Sequence, residues 1–206
     1  MELLEVVHRR RMTRSYTDEP VDRQVIEDML AAAVRAPSAG FSQGWAFLVL
    51  DTQRDVGRYW AATTGSDSAP DAWLTGMRRA PVLIVALSCK EAYLSRYAED
   101  DKARQNPGWR DRAELRWPVP YWHMDTAMAV VLMLLVAEDA GLGACFFGVP
   151  GESTAAVRAS FGVPADHVPV GVVSVGHRGP PLAAGSPSRR ARRPLGDVVH
   201  RGHWQG

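Results

Sequence analysis

The run Ala127–Ala137 constrains this chain more than any other segment. It holds no charged residue, and the surrounding stretch Asp125–Ala140 has helical character, so the predicted helix is apolar around its whole circumference. Such a helix must be covered on every side. The apolar run is too short to span a bilayer, so protein has to supply the cover. A chain of 206 residues with 46% hydrophobic content builds one sizeable core. A subunit of that size rarely encloses a helix completely by itself, which points to a core shared between two copies. Glu138 and Asp139 are expected to return to solvent, and Gly141 to supply the left-handed stop.

The remaining elements follow from local signals. Asp22 can cap a helix in which Val25, Ile26, Met29, Leu30 and Ala33 keep helical spacing, with Val21 stapled onto Ile26 and Pro37 biasing Ala36 out of it. Ser38–Gly44 reads as a loop of small and hydrogen-bonding residues, followed by a buried strand Trp45–Leu50. Gln53–Trp60 starts another helix, Gly65–Pro70 is a surface loop, and a helical turn covers Trp73–Arg79. Pro81–Leu87 is continuously apolar, the pattern of a central strand covered on both faces. From Lys90 to Trp122 charges alternate with large rings (Tyr93, Tyr97, Trp109, Trp117, Tyr121, Trp122). That density argues against disorder and suggests a segment covering a ligand or a partner, although rings in this number can equally be packing. Leu142–Gly148 and Pro169–Val175 read as strands, with a helix from Ser153 or Thr154 through Val157 and Phe161 between them. Residues 179–187 form an extended arm without its own core, and Pro194–His200 is a possible edge strand. An arm of that kind needs another surface, and a second subunit offers one.

Basic residues are local, since the net charge is only +1 and the pI about 7.9. No global field favours a nucleic acid. Arg9, Arg10, Arg11 and Arg14 cluster near the start, and Arg189, Arg190, Arg192 and Arg193 near the end. Planar, permanently charged guanidinium groups suit a phosphate, and both ends could meet on one. The chain has only two lysines, however, so arginine is its general-purpose cation and the clusters are equally explained by composition. Cys89 and Cys145 form neither a disulfide framework nor a CxxC motif, which suits a reducing interior. With Glu2 and Glu5 at the start there is no secretory signal, so a cytoplasmic location is expected. The six histidines show no accompanying carboxylate or cysteine at ligand spacing, and no metal site is expected. Cys145 lies on a buried strand, unsuited to nucleophilic work.

Four segments together resemble the nitroreductase family of FMN-dependent oxidoreductases. They are Arg10–Tyr16 with Asp18–Val21, Ala36–Trp45, the apolar helix ending Gly141-Leu142-Gly143 and running to Gly148, and Arg190–Leu195 after the strand ending Val175-Gly176-His177. The resemblance spans nearly the whole chain. It implies a single α+β domain of three layers, a central mixed β-sheet flanked by helices. It also implies an obligate homodimer with domain-swapped C-terminal arms (residues 179–206) and two FMN sites at the interface. Carried over by position, Arg10, Arg11 and Arg14 reach the flavin or its phosphate, and Arg190 and Arg192 the phosphate. Pro37, Ser38, Ala39 and Gln43 line the ring and ribityl from the partner, and the Phe147–Gly148 backbone runs near flavin N5. Met12, Phe41 and Gly44 depart from the serine, asparagine and proline usual in the family, which leaves the contacts at those positions open.

The chemistry so implied is ping-pong. NADH or NADPH passes hydride to flavin N5, then a flat oxidised acceptor such as a nitroaromatic or quinone takes it; the cofactor carries the reaction and the protein supplies placement and field. Trp117, Tyr121 and Trp122 are the candidate substrate covers. Two alternatives stay open at this point. One is a flavin- or deazaflavin-dependent dehydrogenase, oxidase or dehalogenase on the same fold; the other is a non-catalytic binder of flavin or nucleic acid.

Overall fold

The computed structural model describes residues 1–64, 70–182 and 190–204. The expected loop at Gly65–Pro70 and arm at 179–187 fall largely outside these residues. Four strands, β1 (Trp45–Leu50), β2 (Val82–Cys89), β3 (Gly143–Phe147) and β4 (His167–Gly176), form one sheet in the order β1-β2-β4-β3. β2 is buried along its entire length, as its unbroken apolar sequence requires. β1, expected to be buried, is an edge strand and mostly half-buried.

Side chains of a strand alternate between faces, so each strand feeds two cores. Val82, Ile84, Ala86, Ala144, Val173 and Val175 point to one face. There they meet Ile26 and Met29 of α2 (Arg23–Ala33) and Met133 and Ala137 of α7 (Tyr121–Asp139). Leu83, Val85, Leu87, Cys145 and Val172 point to the other. They meet Val56, Tyr59 and Trp60 of α3 (Gln53–Thr63), Met77 of α4 (Ala72–Met77) and Val157 of α8 (Thr154–Phe161). Each fully buried aliphatic side chain stabilises this three-layer arrangement by roughly 1.5–3 kcal/mol. Helix ends obey local chemistry. Asp22, Thr52 and Asp71 accept hydrogen bonds from the first-turn amides of Gln24, Asp55 and Leu74. Gly141, at φ 79°, closes α7, with Leu142 N–H donating to Ala137 O at 2.8 Å and Gly141 N–H to Glu138 O at 3.0 Å.

Several expectations need correcting. All four strands pair antiparallel, and the parallel component of the expected mixed sheet is confined to an isolated bridge between Met12 and Ala144. The 90–122 segment is not irregular: it holds α5 (Lys90–Ala98), α6 (Asp100–Ala103) and two 3₁₀ turns. α2 ends at Ala33, earlier than Pro37 demands, and α7 begins four residues before Asp125. Pro194–His200 forms a 3₁₀ turn at Leu195–Asp197 and no strand. Glu138 does not return to solvent. Its buried carboxylate pairs with Arg178 at 2.6 Å and with Arg9, on α1 (Leu3–Arg9), at 3.7 Å.

α7 itself is covered on only part of its circumference within one chain. It is long and apolar enough to cross a membrane by length and composition, yet half of that window is buried inside the molecule. Met124, Met128 and Val131 remain 47%, 38% and 50% exposed. Their spacing of four and three residues makes one continuous stripe.

Candidate functional site at the edge of the sheet

The basic stretch near the start runs beside β3, the outer strand opposite β1. Thr13 N–H donates to Ala144 O at 2.9 Å, and the Met12 sulfur accepts from Phe146 N–H at 3.4 Å. The Thr13 side chain lies where a Cβ on Gly143 would stand, 2.7 Å away, so only glycine permits this approach. Tyr16, fully buried, locks the far end. Its hydroxyl lies 2.8 Å from Ser174 Oγ and donates to Thr13 O at 2.7 Å. Burial raises its pKa above the usual tyrosine range. Met12 and Tyr16 thus anchor the stretch to the core, and of the arginines beside and between them Arg11 and Arg14 are left facing outward.

Arg10 is half-buried, Arg11 and Arg14 exposed. Arg10 Nη1 is buried and has no hydrogen-bond partner among the described residues. An unpaired buried donor is disfavoured by about 1–3 kcal/mol, more for a charged group, so this nitrogen suits an anionic ligand. Arg14 Nη1 donates to Met12 O at 3.2 Å. Burial pushes the Cys145 thiol up, and Arg14 and Arg10 both act on it in the opposite sense. Beyond Cys145, Phe147 turns its ring away from this edge to stack on Trp60 at 5.8 Å. Gly148 is exposed, with open space where a Cβ would be.

The 37–44 loop is the second component. Gly40, Phe41 and Gln43 have φ of 62°, 58° and 50°, a left-handed conformation that disfavours side chains. Several hydrogen bonds hold it. Ala39 N–H donates to the buried Asp125 carboxylate at 2.8 Å, Arg96 Nε–H to Gly40 O at 3.0 Å, and Gln43 N–H to Ser38 Oγ at 3.0 Å. Tyr93 O–H donates to the same Asp125 oxygen at 2.8 Å, and burial followed by that carboxylate pushes the phenol up. Gly44 explains one departure from the family pattern: a Cβ there would come within 2.5 Å of the Tyr93 ring and 2.7 Å of Cys89 O. Pro37 and Gln43 are exposed, Ser38 and Ala39 half-buried, and Phe41 is 72% exposed. The role of Asp125 was missed in the sequence. The signal was there, since a carboxylate inside an otherwise apolar helix demands partners.

The candidate substrate covers pack on one another. Trp117 meets Tyr93, Tyr97, Tyr121 and Trp122 with centroids 4.6–6.1 Å apart, mostly edge-to-face. Trp122 is buried; Trp117 and Tyr121 are half-buried. At the other end, Arg190, Arg192 and Arg193 are exposed, and Arg193 donates to Asp197 O. Within one chain no hydrogen bond or ion pair among the described residues joins Arg190 or Arg192 to Arg10 or Arg14. The root of the arm does reach the basic stretch: Tyr16 bridges Arg178, Thr17 N–H donates to His177 O, and Gly179 N–H to Ser15 O. A further cluster, not visible as a sequence spacing, lies outside the residues named so far. Cys89, Asp166 and His167 place a sulfur, an oxygen and a nitrogen within 4.8 Å of one another.

The fold and this edge define an α+β sandwich with arginines beside an outer strand and a strained small-residue loop. A model of the nitroreductase family matches residues 7–177, and the chain belongs to that family. A relative from Archaeoglobus fulgidus with the provisional name NADH dehydrogenase/NAD(P)H nitroreductase is 29% identical over 178 residues, covering 85% of each chain. An FMN-dependent nitroreductase from Clostridium difficile shares the fold with TM-score 0.67 and 22% identity, over 98% of this chain and 99% of that one. A provisionally assigned nitroreductase from Desulfovibrio desulfuricans, solved in complex with FMN, does so with TM-score 0.68 and 23% identity, over 100% and 99%.

Proposed function

We propose that the chain is an FMN-dependent oxidoreductase working as a homodimer. The observation that carries this is the half-buried Arg10, whose Nη1 is buried without a partner among the described residues, on the same segment as Arg14 that Met12 and Thr13 join to β3. These groups fit a phosphate dianion, since each charge-assisted hydrogen bond is worth roughly 1.5–3 kcal/mol. When bound, FMN supplies two-electron transfer from NADH or NADPH to a flat oxidised acceptor such as a nitroaromatic or quinone, each taken in turn. Arg10, Arg11 and Arg14 bind and orient the phosphate side. Pro37, Ser38, Ala39 and Gln43 offer a flat, preformed loop surface, kept in place by Asp125 and Arg96. Gly148 leaves the backbone after Phe147 open to close approach. Trp117, Tyr121 and Trp122 shape the apolar wall behind that loop.

The exposed Met124–Met128–Val131 stripe supports a dimer, because a partner would complete the cover that α7 needs. Arg190 and Arg192 then act across the subunit boundary, carried by the exchanged arm. The test is the absorption spectrum of the purified protein before and after anaerobic NAD(P)H. A yellow protein that bleaches is expected. A yellow protein inert to both nicotinamides would move the reading to another flavin-dependent reaction, and a colourless one would overturn it.

A further inference from the structure

The sheet register brings together three side chains that the flavin site does not use. Cys89 ends β2 and lies opposite His167, the first residue of β4, with Asp166 immediately before it. Cys89 Sγ is 3.8 Å from Asp166 Oδ2, and His167 Nδ1 is 2.8 Å from Asp166 Oδ1. All three ligand atoms fall within 4.8 Å of one another. A zinc ion with one sulfur at about 2.3 Å and one oxygen at about 2.0 Å in tetrahedral geometry separates those two ligands by roughly 3.5 Å, close to what is seen. Cys89 is buried at 8% exposure, while Asp166 and His167 sit toward solvent. The arrangement is therefore a cup with a soft donor at its floor and harder donors at its rim.

Two other readings fit less well. In a Cys–His nucleophile the sulfur would face the imidazole as its base, whereas here Sγ faces the carboxylate and the imidazole is engaged by the same carboxylate. A plain surface ion pair accounts for Asp166 and His167 but not for a buried thiol aimed at them from the neighbouring strand. We propose that Cys89, Asp166 and His167 bind one zinc-like divalent metal ion, with water in the fourth position. The metal replaces two protons, the one Cys89 Sγ directs at Asp166 and the one shared between His167 and Asp166, and both leave to solvent. The site adjoins the flavin loop, because Cys89 N–H donates to Gly44 O at 2.6 Å. It is independent of flavin binding and does not rest on the function proposed above.

Cobalt(II) titration of the purified full-length protein tests the site, since thiolate ligation gives a near-ultraviolet charge-transfer band and tetrahedral d–d bands at long wavelength, clear of flavin absorption. Saturation at one equivalent is expected, reversed by added zinc. Cys89→Ser should abolish the charge-transfer band, and Cys145→Ser, removing the only other thiol, should leave it intact. His167→Ala should weaken cobalt binding on the order of tenfold or more. Absence of the bands in the unaltered protein overturns the site, as does a band that survives Cys89→Ser. Melting of each variant in the absence of metal separates loss of ligation from loss of fold.

Discussion

The two ends of this chain are equally rich in arginine and have opposite fates. Residues 10–16 are fastened to β3 by backbone and side-chain bonds, and Tyr16 is buried completely. Residues 190–199 are exposed throughout, with a single 3₁₀ turn. The difference lies in what stands between the arginines. Met12 and Tyr16 drive apolar surface into the core of their own chain and hold the cations beside it, whereas Leu195, Val198 and Val199 stay exposed within one chain. Guanidinium groups do not place themselves; their apolar neighbours place them.

Tyr16→Ala should break the contrast most severely, freeing the first end from β3. Removing a fully buried ring costs about 3–5 kcal/mol, which a urea or thermal unfolding curve measures directly. Arg10→Ala should raise the FMN dissociation constant by one to two orders of magnitude, for about 1.5–3 kcal/mol, while the flavin-free protein unfolds as before. Retention of FMN in that variant would remove the observation on which the functional proposal stands. Arg192→Ala should lower FMN occupancy by about tenfold, with the dimer intact by analytical ultracentrifugation; unchanged occupancy would confine the site to the first end. The smallest effect is one of pH. Tyr16 has a raised pKa in the folded chain, so its stabilisation is complete below its unfolded value and shrinks as pH rises past it, because the unfolded chain loses the phenolic proton first. At pH 10 the loss is about 0.4 kcal/mol, and Tyr16→Phe should remove that part of the alkaline slope.

Much of the layer structure was legible. Asp22 announced a helix start, Gly141 a helix stop, and the apolar run of β2 a central strand, because each signal acts within a few residues. The site was legible in part. Arg10 and the small residues of the 37–44 loop carried family-like motifs; the structure leaves Arg10 Nη1 buried without a partner among the described residues and fixes the loop through Asp125 and Arg96. Asp125 is not legible because an acid near the start of an apolar helix shows its meaning only when Ala39 and Tyr93 arrive at it. Glu138 was misplaced for the same reason: its partners Arg9 and Arg178 lie far away in sequence, on opposite sides of it.

By itself the sequence determined the periodicities: which residues alternate along strands, where helices are capped, and that α7 has no side fit for water. Only the tertiary structure decided that β1 is an edge strand, that Met12 and Tyr16 anchor a basic segment beside β3, and that Cys89 faces Asp166 and His167. The physical reason is range. Dihedral preferences and apolar spacing are settled among neighbours in the chain, while strand order and the pairing of buried polar groups depend on which distant surfaces exclude water together.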